Sequence, residues 1–96
     1  MQLFDWNQEK NELLKNERQI SFEEIVFAIN NNCVLEVKDH PNKEKYSNQK
    51  IYVVHYNDYV YLVPFVIDEE THFLKTIIPS RKDRKNYLGD SDEKKA

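Results

Sequence analysis

The sequence predicts an α+β fold: two N-terminal helices, a four-stranded antiparallel sheet and a short C-terminal helix. Three observations carry that prediction. Apolar residues recur at helical spacing as far as Ile29, while from Cys33 onward they form β-branched and aromatic runs, most of them joined by short turns. Consecutive strands joined in this way make a meander, and the helices before it must cover one of its faces.

The first helix is read in DWNQEKNELLKNER, with Asp5 or Asn7 as its cap and Trp6, Leu13 and Leu14 on one face. The second starts at Ser21. Ser21 and Glu24 have capping-box spacing, in which the serine accepts from the third helical amide and the glutamate reaches back. Ile20 and Ile25 have the spacing of a hydrophobic staple, and Phe22, Ile25, Val26 and Ile29 define a buried face. Asn30, Asn31 and Asn32 end the helix, because asparagine tolerates a left-handed backbone.

CVLEVK is a half-buried strand, and DHPNKEKYSNQK is a polar loop broken by Pro41. IYVVHY and YVYLVPFV flank Asn57-Asp58, a favoured hairpin turn. Pro64 lacks a ladder donor and so marks an edge or a bulge. Asp68, Glu69 and Glu70 turn the chain into HFLKTII, the fourth strand. Pro79-Ser80 stops that strand, residues 81–88 make the last helix, and Gly89 ends it. Residues 1–89 thus read as one domain and 90–96 as a charged, flexible tail.

Composition excludes several classes of function. A single glycine and the lack of either glycine-rich phosphate motif exclude nucleotide cofactors held in such a loop. With Cys33 alone there is neither an intramolecular disulfide nor a cysteine zinc cluster, and the three histidines have no ligand spacing, so no metal or other cofactor is expected. Asp5 and Glu9 stand where a secretory signal needs basic and then apolar residues. No apolar run reaches the ~20 residues of a membrane span. The expected location is the cytoplasm, with no membrane partner.

The net charge is −3, yet residues 73–87 carry Lys75, Arg81, Lys82, Arg84 and Lys85 against Asp83 alone. Such a concentration of cations can meet phosphate even on an acidic protein. A solvated helix face is the competing reading. His55 lies in a strand and is either a general base or a histidine without chemistry. Tyr52, Tyr56, Tyr59 and Tyr61 crowd the central hairpin, where rings beside cations stack RNA bases or serve as sheet packing.

The start of the chain, with Phe4, Asp5, Trp6, Lys10 and the segment Ile20-Ser21-Phe22-Glu23-Glu24, resembles the opening of BrnT-type toxins of bacterial type II toxin–antitoxin systems. TIIPSRKDRKNY is similar to the close of that family, through Ile77, Ile78, Arg81, Lys82 and Tyr87. The resemblance implies a RelE-like fold and a metal-independent ribonuclease, an mRNA interferase that arrests translation until an antitoxin neutralises it. The implied partners are a ribbon-helix-helix antitoxin, through which alone DNA is contacted, and RNA, free or on the ribosome.

In that chemistry the RNA 2′-hydroxyl attacks its own phosphate while cations stabilise the pentavalent charge. Arg81 and Arg84 would grip phosphate, Lys75 would neutralise charge, and Tyr87 or His55 would transfer protons. Arg18 would act as a cation where the family carries a histidine, with Lys82, Lys85 and Tyr61 on the substrate. The alternative expectation is a non-catalytic module of the same fold that binds an antitoxin or another protein target, as members of the wider superfold bind gyrase.

Overall fold

The structure, a computed structural model, describes residues 2–88. The order is β1 (Leu3–Trp6), α1 (Gln8–Arg18), α2 (Phe22–Asn30), β2 (Val34–Asp39), β3 (Gln49–Tyr56), β4 (Tyr59–Asp68), β5 (Thr71–Leu74), β6 (Ile78–Pro79) and α3 (Arg81–Leu88). The expected stop at Gly89 and the tail 90–96 lie outside the described residues.

The α+β class holds, but the sheet is six-stranded and mixed where four antiparallel strands were expected. Its order is β1-β5-β4-β3-β2, with β6 beside β4. The extra strand is β1, which pairs parallel with β5 from Leu3 opposite Thr71 to Trp6 opposite Leu74. Leu3 and Asp5 are exposed while Phe4 and Trp6 are half-buried, a period of two that marks a strand. Trp6 therefore precedes α1 and stacks on Phe22 at 5.7 Å. The helix is capped by Asn7, whose side chain accepts from the Lys10 amide. Leu14 is buried, but Leu13, expected on the same face, is 45 % exposed.

The second helix matches its sequence signals closely. Ser21 and Glu24 form the reciprocal capping box, and Ile20 and Ile25 are both buried. The fully buried face is Phe22, Ile25 and Ala28, with the expected Val26 and Ile29 packed at its margin. Asn32 takes the left-handed turn with φ 63°.

The β3–β4 hairpin turns on Asn57 and Asp58, both with positive φ, as a type I′ turn requires. The expected single strand at 72–78 is instead split in two. Pro64 lies in the interior strand β4, and its carbonyl accepts from Lys75 N–H at 2.8 Å. Its missing N–H faces the same neighbour, so the ladder cannot be completed there. Pairing resumes at Leu62 opposite Ile78, one residue out of step with Phe65 opposite Leu74. The anomaly at Pro64 is a bulge and not a sheet edge.

The core lies between the sheet and α1–α2 and gathers Leu14, Phe22, Ile25, Tyr52, Val54, Val63, Phe65, Leu74 and Ile77. On the other face α3 lies over β4, where Val53 and Val60 are fully buried. One polar side chain joins the two N-terminal helices. Asn11, 0 % exposed, accepts from Phe22 N–H at 2.8 Å and donates to the Glu23 carboxylate at 2.8 Å. That amide bond holds the Glu23 carboxyl below its ordinary range. Asn11→Ala removes both bonds and leaves the Phe22 N–H buried without an acceptor, so we expect a loss of about 1–3 kcal/mol in urea unfolding. An unchanged midpoint at unchanged slope would refute this role for the asparagine.

Candidate functional site

The last helix begins where the chain leaves β4's flank. Ser80 N–H donates to the Val60 carbonyl at 2.9 Å, which fixes the residue before Arg81 to the sheet. Ser80 then caps the helix: its hydroxyl accepts from Asp83 N–H at 3.2 Å and donates to the Asp83 carboxylate at 2.7 Å. The spacing Ser-x-x-Asp in PSRKD is the signal for this cap, and it went unused in the sequence reading. Asp83, only 8 % exposed, also meets Lys38 at 3.7 Å. The one acid of the cationic segment is thus a structural anchor.

The cations of α3 divide into two groups. Arg84 is bound to the β3–β4 turn, donating to the Asp58 carbonyl at 3.0 Å and meeting its carboxylate at 3.4 Å, with its guanidinium 5.8 Å from the Tyr59 ring. The side chains of Arg81 and Lys82 are exposed and make no hydrogen bond or ion pair among the described residues. Lys85 is also exposed. Because Ser80 already caps the helix, an anion here would be held by side chains and not by the terminal amides.

Tyr87 donates its hydroxyl to Glu36 on the edge strand β2. This bond to a carboxylate pushes the phenol above its ordinary range, so it remains protonated at neutral pH. His55 pairs with Val60, and strand alternation places its side chain on the face that carries α3. Lys75 was expected within the fourth strand. It stands instead in the break between β5 and β6, exposed, with its ammonium 5.8 Å from the Phe73 ring, while Ile77 is fully buried.

Two predicted residues belong elsewhere. Tyr61 shares the helix-covered face with Tyr52 and Tyr56 and packs at the margin of the core. The four hairpin tyrosines therefore all lie on the face opposite α3 by register, and packing accounts for Tyr52, stacked on Phe65 at 4.1 Å. Arg18 donates to the Ile77 carbonyl, which ties the end of α1 to the bulge. Arg81, Lys82, Arg84, Lys85 and Tyr87 lie along α3, and His55 lies on the strand face that carries this helix.

The sequence reading passed over a second constellation. Tyr52 and His72 meet hydroxyl to Nδ1 at 2.7 Å, enclosed by Phe4 and Phe65, whose ring centroids lie 6.1 and 4.7 Å from the imidazole. Burial lowers the His72 pKa and raises that of Tyr52. The pair sits on the α1–α2 face, away from the cations of α3. Its signal in the sequence was faint, because His72 is 20 residues from Tyr52 and the contact needs the β4–β5 register.

Among the described residues no group of three or more His, Cys, Asp or Glu side chains could hold a metal ion, and no helix is long and apolar enough to cross a membrane. No protein-family model matches the chain, and no curated protein matches it in sequence.

The depressed pKa of His72 makes stability depend on pH with a definite sign. The folded state disfavours the imidazolium, so its contribution is complete above the ordinary histidine pKa and is lost as pH falls below about 6.5. We expect the melting temperature to fall between pH 7 and pH 5, before carboxylates titrate, and to fall less in His72→Phe. An equal decline in both proteins would rule out His72 as the cause.

Proposed function

We propose that this chain is the toxin of a type II toxin–antitoxin module, a BrnT-type protein of RelE-like fold that cleaves RNA without a metal. The reading rests on the resemblance at the two ends of the sequence. One structural observation carries it: Arg81 stands exposed at the first position of α3, with no side-chain partner among the described residues, on a backbone fixed by Ser80 and Asp83. A cation so placed reaches a phosphate without breaking an internal contact, and its guanidinium can grip two phosphate oxygens at once.

The other residues take roles that follow from their surroundings. Lys82 adds charge beside Arg81. Arg84 positions the helix against the β3–β4 turn through Asp58 and carries positive charge at the same site. Tyr87, kept protonated by Glu36, suits proton donation to a leaving oxygen better than abstraction. His55 is the remaining candidate for the base that deprotonates the 2′-hydroxyl. A cognate antitoxin, a small DNA-binding protein, would hold the toxin inactive in the cytoplasm.

A second reading has a specific observation in its favour. Arg84 and Tyr87 are both engaged by carboxylates, Asp58 and Glu36, which would repel a phosphate brought close to them. That arrangement suits a non-catalytic module that keeps the fold and binds an antitoxin or another protein target.

Induced expression separates the two. With wild type and Arg81→Ala at equal soluble levels, we expect growth arrest and RNA cleavage from the wild type, and a barrier higher by about 2–4 kcal/mol in the variant. Arg81→Lys should rescue poorly, since a point charge lacks the planar fork. Arrest with intact RNA, or equal arrest by wild type and Arg81→Ala without cleavage, would favour the binding module, and equal cleavage by both would remove Arg81 from the catalytic set.

A further inference from the structure

Strand β2 closes one edge of the sheet, and among the described residues no strand pairs with its outer side. In an antiparallel ladder alternate residues turn their backbone groups toward the partner. His40 N–H donates to the Gln49 carbonyl at 3.3 Å, and the same register sets Lys38 opposite Ile51 and Glu36 opposite Val53. Lys38 and Glu36 therefore bond inward with His40, while Val37 and Asp39 present their N–H and C=O outward. Val37 is 48 % exposed, an apolar residue between a glutamate and a lysine.

We propose that this edge pairs antiparallel with β2 of a second copy of the chain, with the two-fold axis passing through Val37. The outward groups of Val37 then bond reciprocally to those of Val37 in the second copy. Glu36 falls opposite Lys38 of the second copy, and Lys38 opposite its Glu36. These are non-hydrogen-bonded positions, where Cα atoms approach to about 4.5 Å and opposite charges attract most directly. The interface is isologous, so one favourable pair is automatically two.

The strand selects this register over its neighbours. An axis through Asp39 would oppose two carboxylates and bring Pro41, which has no N–H, against Val37. An axis through Leu35 falls where the β2–β3 register shifts between Val34 and Glu36. Only the Val37 axis combines regular backbone with matched charges. Both charged residues have capacity left for a second partner. Tyr87 uses Oε1 of Glu36 and leaves Oε2, and the Lys38 ammonium has three donors with Asp83 at 3.7 Å. The choice of a second copy follows from charge, because the strand carries its own complement on either side of the axis.

Analytical ultracentrifugation of the full chain, over concentrations up to the order of 100 μM, tests the pairing. The wild type should show a reversible monomer–dimer equilibrium. Glu36→Lys places lysine against Lys38 of the second copy, and Lys38→Glu places glutamate against Glu36. Each variant alone should self-associate about tenfold more weakly or worse. Mixed one to one they should form a heterodimer, since both cross-strand pairs are again of opposite sign. Loss of fold cannot produce that recovery. Val37→Pro removes only an outward N–H and should abolish the dimer with the helical and strand signal kept. A wild type that stays monomeric throughout, charge variants that dimerise as the wild type does, or a mixture that fails to recover would each overturn the proposal. None of these outcomes depends on whether the protein cleaves RNA.

Discussion

The architecture depends on the parallel pairing of β1 with β5. That pairing puts the first strand at one edge of the sheet, while β2, the next strand in sequence, closes the other. The chain between them must cross the sheet's full width, about 19 Å for five strands at the usual spacing. It does so as α1 and α2, and the crossing buries one face of the sheet along its path. The helices are thus the connection that β1 demands as well as a cover for the core. Their junction at Asn11 fixes the second helix to the first, and Arg18 fixes the first to the bulge at Ile77.

The opposite face has a different solution. Here the chain arrives late, through a two-residue strand, and a single eight-residue helix covers Val53 and Val60. So short a helix has little apolar surface of its own, and polar links hold it: Ser80 at its start, Asp83 to Lys38, Arg84 to Asp58, and Tyr87 to Glu36. Apart from the Ser80 amide on the Val60 carbonyl, these links run to the edge strand and to a turn. Each exposed bond is weak individually, so the position of α3 depends on several acting together.

The parts legible in the sequence were those governed by neighbouring residues. The capping box at Ser21, the left-handed Asn32, the Asn57-Asp58 turn and the bulge at Pro64 each depend on a few adjacent side chains or one missing donor. What escaped depends on contacts remote in sequence. Four residues, Leu3–Trp6, are too few to show a period, and Trp6 fits a helical face as well as a strand. Its strand character comes from β5, about 68 residues away by register. Tyr52 and His72 escaped for the same reason. Strand alternation sets Tyr52 with Tyr56 and Tyr59 with Tyr61, but only the cross-strand register shows that both pairs share one face.

The cationic segment shows why charge counted along a chain differs from charge available at a surface. By sequence, residues 73–87 hold five cations and one acid. The fold changes that balance without altering the segment, by bringing Asp58 to Arg84 and Glu36 to Tyr87 from strands and turns that read as unrelated. Asp83, which lowers the count by one, is turned inward to the cap and to Lys38. Within α3, Arg81 and Lys82 stay exposed with no side-chain hydrogen bond or ion pair among the described residues, adjacent to each other at the start of the helix. The cations that look most alike in sequence therefore have different work: Arg84 sets the angle of α3, and Arg81 presents the charge which that angle directs outward.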